Sequence, residues 1–165
     1  MAENTDLDQV WFVVTPQNPL KNRRQLLNEY DRLELVRLAT DGNDKLRAND
    51  IEFNLPRPSF TVDTLAHLKE KYPNNEFVLI MGTDTVKTLP KWKNVEVILQ
   101  NYQIYAYPRA KVELINPPTN VVVCDTPIME ISASFIRRSI KNGRSVRYYL
   151  PDLVYEYVEK WGYYK

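Results

Sequence analysis

Two periodicities alternate along the chain. Short continuous apolar runs stand at Val10–Val14, Glu76–Met81, Gln103–Tyr107 and Val121–Cys124, each about as long as a strand. The first two are apolar on both faces, as in parallel strands buried from both sides. Ile51, Phe53 and Leu55 alternate with Glu52 and Asn54, which predicts a half-buried strand ended by Pro56 and Pro58. Between these runs the period lengthens. Tyr30, Leu33, Leu35, Val36 and Leu38 fall on one helical stripe with charges between them, stopped by Asp41-Gly42-Asn43. A second helix follows Ser59 or Thr61, either of which can cap it, and Val95, Ile98 and Leu99 predict a short third one. An amphipathic run opens near Ile131 and stops at Asn142-Gly143, and Asp152 is placed to cap a final helix carrying Leu153, Val154, Tyr157, Val158 and Trp161. Strand, helix, strand, helix in this order predicts an α/β chain with a mainly parallel sheet joined by right-handed crossovers.

Composition narrows the picture. The 165 residues suffice for one domain, 1–165, with a real core. A net charge of +1 supplies no global field for nucleic acid or an anionic membrane, although basic clusters lie at Lys21–Arg24 and Arg137–Arg147. Cys124 is the single cysteine, which excludes an internal disulfide and a cysteine-based zinc site and makes the cytoplasm the expected compartment. The longest apolar runs are too short to cross a bilayer, and the first residues lack the basic and apolar regions of a signal peptide.

The richest chemistry sits in Ile131-Ser132-Ala133-Ser134-Phe135-Ile136-Arg137-Arg138. Two serines stand where a helix start needs caps, and Arg137 falls near the end of the first turn. Free N–H groups, the positive end of the helix dipole and a guanidinium fork then suit phosphate, although a capped surface helix with solvated arginines reads the same way. Gly82-Thr83-Asp84 follows a strand end, where open α/β sheets bind ligands, and pairs a close-approach glycine with a carboxylate. Trp92 lies between Lys91 and Lys93 after Pro90, a setting that suits a partly exposed indole able to stack on a flat ring. Lys21 after Asn18-Pro19-Leu20 is as readily a surface lysine as a phosphate ligand. His67, the only histidine, reads as a packing or surface residue.

Together these stretches resemble the nicotinate-nucleotide adenylyltransferases, from about Asp8 to Tyr164. Ile-Ser-x-Ser-x-Ile-Arg is similar to the family's triphosphate signature I-S-x-T-x-I-R, with Ser134 keeping the hydroxyl of the usual threonine. Asn18-Pro19-Leu20-Lys21 resembles the family's N-P-x-K, Arg57 to Leu65 its R-x-S-[YF]-T-x-D-T-L, and Leu89 to Lys93 its tryptophan motif. The resemblance implies a Rossmann-like nucleotidyltransferase fold and transfer of AMP from ATP to nicotinate mononucleotide with Mg²⁺. It implies that Ser132, Ser134 and Arg137 hold the ATP phosphates with help from Lys21, and that Gly82 and Asp84 meet the nucleotide. Thr61, Trp92 and Lys93 would take the nicotinate end, and Arg109 the mononucleotide phosphate.

The chain departs from the family at its start. The first strand and the G-x-F-x-P-x-H-x-G-H loop are not in it, and no other phosphate loop replaces them. The first, central strand is therefore expected to be missing, as in a mis-started or shortened chain. Alternatives stay open: an impaired nucleotide-binding protein, or a related adenylyltransferase whose acceptor is nicotinamide mononucleotide or a phosphopantetheine. Assembly into a homo-oligomer is open too. Without the central strand, the strands at Val10–Val14 and Glu76–Met81 lose a shared partner. A chain carrying the upstream strand is expected to be the more stable in denaturant unfolding, and equal unfolding free energies would refute this.

Overall fold

The computed structural model describes residues 1–17, 26–110 and 112–165. Among them the chain forms strands β1 Val10–Val13, β2 Leu46–Asn49, β3 Leu79–Gly82, β4 Ile104–Tyr107 and β5 Val121–Val123. The helices are α1 Glu29–Thr40, α2 Thr61–Lys71, α3 Thr83–Val86, α4 Val95–Asn101, α5 Ala133–Lys141 and α6 Asp152–Trp161. Every strand pairing is parallel, as the alternation of strands and helices predicts.

The strands form two sheets rather than one. β1 pairs with β2, while β3, β4 and β5 form a second sheet in that order. β1 and β3 stand at the edges of their separate sheets, so the two strands expected to lack a shared partner are unpaired with each other. Aromatic contacts bridge them instead. The Trp11 ring on β1 meets Phe77, just before β3, edge-on at 5.7 Å, and Tyr72 at 4.9 Å. The Arg47 guanidinium lies 4.7 Å from the same indole.

Two apolar clusters carry the packing. In the first, Leu65 of α2, Ile98 of α4 and Leu89 close over Met81, Ile104, Ala106 and Val121 of the three-stranded sheet. In the second, Ile140 of α5, Val154 and Val158 of α6 and Val146 pack with Leu35 and Leu38 of α1. The α1 start is built locally. Asn28 Oδ1 accepts from the Tyr30 N–H at 2.8 Å, and Glu29 and Asp31 complement the positive helix end. Gly42, at φ +74°, follows its end.

Several sequence expectations are corrected. Ile51–Asn54 is a 3₁₀ turn, not a strand, and the strand lies just before it at Leu46–Asn49. The buried Asn49 Oδ1 accepts from the Ile51 N–H at 2.9 Å, which turns the chain out of the ladder. Glu52 is consequently buried rather than pointing to solvent. β1 is not sealed on both faces, since Phe12 is 44% exposed. Neither Ser59 nor Thr61 caps α2: Phe60 holds the cap position and Thr61 is the first helical residue. Asp152 is likewise the first residue of α6, preceded by Pro151 at the cap.

Ile98 is wholly buried in the first cluster, whereas Val97 beside it on α4 is 44% exposed. Ile98→Ala is expected to lower the unfolding free energy by about 2–5 kcal/mol, and Val97→Ala to change it by no more than about 0.5 kcal/mol. Urea unfolding of the two variants checks this.

Candidate functional site

The parallel sheet sets the place. In register, Gly82 of β3 faces Tyr107 of β4, and Ala106 faces Val123 of β5. The carboxyl ends of all three strands therefore lie along one edge, the usual binding edge of an open α/β sheet. Thr83 ties that edge together. Its Oγ1 accepts from the Arg109 N–H at 3.0 Å and donates to the Val112 carbonyl at 3.2 Å. Gly82 is needed there for space. A Cβ on it would meet Asp84 Oδ1 and stand 2.9 Å from Arg109 Cγ. Gly82, Asp84 and Arg109 thus converge, with Asp84 exposed and Arg109 half-buried.

The second group is the start of α5, reached from β5. Ser132 is its cap: Oγ accepts from the Phe135 N–H at 3.1 Å. Ser134 stands in the first turn, and its Oγ accepts from Arg137 Nη2 at 3.3 Å. Arg137 is half-buried and Arg138 exposed, so the two arginines are not an equivalent solvated pair. Hydroxyls, turn N–H groups and one guanidinium share this helix end, an arrangement able to hold a phosphate.

The third group joins α2 to the Pro-Lys-Trp-Lys stretch. Lys93 Nζ meets Asp63 Oδ2 at 2.9 Å and lies 4.6 Å from the centre of the Phe60 ring. This pairing sets Lys93 beside Thr61. Trp92 packs against the first apolar cluster, and its Nε1 is buried with no partner among the described residues. Beneath the helix, Thr64 Oγ1 donates to Glu52 Oε1 at 2.7 Å, while Glu52 Oε2 has no partner among the described residues.

α1 anchors the segments that lead into these groups. The Arg32 guanidinium donates to the carbonyls of Thr15 at 2.7 Å, Pro16 at 3.1 Å and Leu27 at 3.0 Å. Burial pushes that guanidinium down from its ordinary value, opposed by the Glu29 carboxylate. Glu29 also pairs with Arg57 at 2.9 Å. Backbone hydrogen bonding, helped by Arg57, holds the Glu29 carboxyl below its usual range. Gln17 in turn accepts from the Ser59 N–H at 3.4 Å.

Of the residues singled out in the sequence, Gly82, Asp84 and Arg109 meet, as do Ser132, Ser134 and Arg137, whereas Lys93 reaches Asp63 and Phe60, the neighbours of Thr61 in the chain, and Trp92 packs on the first apolar cluster. No hydrogen bond or ion pair among the described residues joins one group to another. Lys21, with the rest of Asn18-Pro19-Leu20-Lys21, lies outside the described residues. His67 is exposed, 3.8 Å from Glu70. Sequence reasoning missed Arg32, Glu29 and Thr83. Arg32 and Glu29 look like ordinary members of a charged helix face, while Thr83 was legible only as the middle of Gly-Thr-Asp. A cavity of about 450 Å³ opens between Val86–Pro90 and Glu113–Pro118, but none of these site residues lines it.

A cytidylyltransferase-like family model matches residues 1–139. The probable nicotinate-nucleotide adenylyltransferase of Flavobacterium johnsoniae is 55% identical over all of this chain and 88% of its own length. That of Flavobacterium psychrophilum is 52% identical over the same shares. In structure the chain is similar to a Plasmodium falciparum nicotinic acid mononucleotide adenylyltransferase solved with NaAD. The TM-score is 0.78 at 17% identity, covering 95% of this chain and 82% of that one, which bears on the fold.

The Gly82 backbone, at φ −74° and ψ 154°, is open to any residue, so only the space is special. Gly82→Ala is expected to swing Asp84 and Arg109 out of their present positions while leaving Tm within about 2 °C of the parent. A crystal structure of the variant, with thermal unfolding alongside, checks both halves.

Proposed function

Because the chain belongs to the cytidylyltransferase-like family, and within it to the nicotinate-nucleotide adenylyltransferases, we propose that this sheet edge is where it transfers an adenylyl group from ATP to nicotinate mononucleotide. The products are nicotinate adenine dinucleotide, a step of NAD biosynthesis, and pyrophosphate. The observation that carries the reading is the full-length match to relatives of that name. In its support stand the carboxyl edge of the three-stranded sheet, where Gly82, Asp84 and Arg109 converge, and the α5 start, where two serine hydroxyls and a guanidinium gather.

In the reaction a phosphate oxygen of the mononucleotide attacks the α-phosphorus of ATP. The new O–P bond forms as the bond from the α-phosphorus to the bridging oxygen breaks, and its electron pair leaves with pyrophosphate. The nucleophile is already an anion, so no side chain has to remove a proton. Positioning and neutralisation of charge remain as the protein's tasks. Ser132, Ser134 and Arg137 take the ATP phosphates, one end of the guanidinium being held by its hydrogen bond to Ser134. Lys21 assists from outside the described residues. Gly82 lets the nucleotide approach the backbone and Asp84 accepts from its hydroxyl or amine groups. Arg109 holds the mononucleotide phosphate. Thr61 and Lys93 take the nicotinate carboxylate end, and Trp92 offers its indole to the ring.

A divalent ion belongs with ATP. No group of three or more His, Cys, Asp and Glu side chains able to hold a metal exists among the described residues. Mg²⁺ would come with the ATP phosphates, since this ion favours substrate oxygens and water over an all-protein cage, and there it would neutralise phosphate charge. The reading places the enzyme in the cytoplasm, in keeping with a lone buried Cys124 thiol, and among the described residues no helix is long and apolar enough to cross a membrane.

Pyrophosphate release from Mg·ATP is expected to require nicotinate mononucleotide and to be much slower with nicotinamide mononucleotide. Arg137→Ala is expected to lower kcat/KM for ATP by about 100- to 1000-fold, the scale of losing one preorganised charge-stabilising donor. ATP binding without acceptor-dependent pyrophosphate release would sink the reading.

A further inference from the structure

The chain end carries an outlier that the adenylyl-transfer reading does not use. Gly162 ends α6 at φ +64°, as a glycine readily does, but Tyr164 two residues later also lies in the left-handed region, at φ +66°. A bulky side chain rarely adopts that conformation, and surrounding contacts must offset its strain. Those contacts converge from three elements. Tyr164 packs against the second apolar cluster, whose buried members are Ile140 of α5, Val154 and Val158 of α6 and Val146. Its ring lies under the Arg137 guanidinium, whose Cζ is 5.9 Å from the ring centre. The ring is half-buried; burial pushes its hydroxyl up from the ordinary value, while Arg137 and then Arg32 pull it down. Both guanidiniums therefore act on one phenol. One belongs to the α5 anion group, and the other holds the carbonyls of Thr15, Pro16 and Leu27.

We propose that Tyr164 is a positioning residue for Arg137: its ring is the seat on which the guanidinium rests, so that the fork points from α5 toward the ATP phosphates. The reason is mechanical. An arginine on an exposed helix turn samples many rotamers, and each one lost on binding weakens the grip on phosphate. Ser134 restrains one end of the fork through Nη2, but a single 3.3 Å hydrogen bond leaves the plane free to rotate. An aromatic face restricts that freedom, and cation–π attraction strengthens as the site loses water. The backbone outlier is then the means by which the short segment after α6 turns back to present the ring.

The inference rests on the assignment of Arg137 to ATP, and its test separates the two. In the full chain, Tyr164→Leu is expected to lower kcat/KM for ATP about three- to tenfold and to leave KM for nicotinate mononucleotide unchanged. Tyr164→Phe, which keeps the face, should stay within about twofold of the parent. In an Arg137→Ala background the leucine substitution should have no further effect, because the ring then has nothing to hold. An equal loss in both backgrounds, or parent kinetics in Tyr164→Leu, overturns the role of Tyr164. Parent kinetics in Arg137→Ala overturns the site assignment and this inference with it. If Tyr164→Leu does not fold, the parent protein decides by NMR. The Arg137 Nε–Hε proton should be displaced upfield by the ring relative to the exposed Arg138, and the absence of that displacement overturns the proposal.

Discussion

The three-stranded parallel ladder is the constraint on which the rest depends. Parallel pairing puts every carboxyl end on the same side, and the ladder here is short, so its register alone decides which residues emerge together. Gly82 opposite Tyr107, and Ala106 opposite Val123, bring Thr83, Arg109 and the exit toward α5 to one edge. A slip of one residue would invert the faces, moving the buried Ile104 and Ala106 into solvent and burying the half-exposed Tyr105 and Tyr107. The wholly buried Ile98, Ile104 and Ala106 make such a slip expensive. Core packing and site geometry are therefore one constraint seen from two sides. The bond from the Arg109 N–H to Thr83 Oγ1 carries the register past the last ladder pair into the loop that bears the arginine.

The second apolar cluster does a different job. It lies among α1, α5 and α6, away from the ladder, and fixes the helices that hold cationic side chains. Arg32 and Glu29 occupy the first turns of α1 and tie down the segments on either side of it, residues 15–17 and 57–59. Arg137 rises from α5 on the same packed unit. Burying Arg32 is costly, and three carbonyl acceptors with one nearby carboxylate offset that cost. Under the proposed function, Arg137 is thus carried by packing separate from that of the ladder.

How much of this was legible in the sequence follows from the range of each force. Strands at Val10, Leu79, Ile104 and Val121 were visible because apolar runs of strand length leave few other choices. The turn at Ile51–Asn54 was not, although its residues alternate well. One side-chain hydrogen bond, from the Ile51 N–H to Asn49, outweighs that pattern, and buries Glu52 where alternation places it outside. The caps failed for a similar reason. Ser59 has a hydroxyl in reach of a helix start, but its N–H is held by Gln17 far away in the chain, and the helix begins two residues later. The signature around Ser132 and Arg137 was legible because cap, hydroxyl and guanidinium lie within one turn. Arg32 and Tyr164 were not, since their meaning exists only once α1, α5 and α6 have packed.

The proposed adenylyl transfer joins two phosphate groups, and it asks for positioned charge more than for acid–base groups. Both reactants are anions before they meet, so the barrier is dominated by bringing like charges together in line, not by moving protons. What serves is a set of fixed positive charges and N–H groups whose orientation is settled in advance, because a donor that must reorganise during the reaction returns part of its benefit. Under the proposed function, Arg137 bonded to Ser134, Lys93 paired with Asp63, and Arg109, whose backbone N–H is held by Thr83 Oγ1, are the cations that would serve in this way. The chemistry is thereby left to the substrates, and the folded chain supplies their geometry.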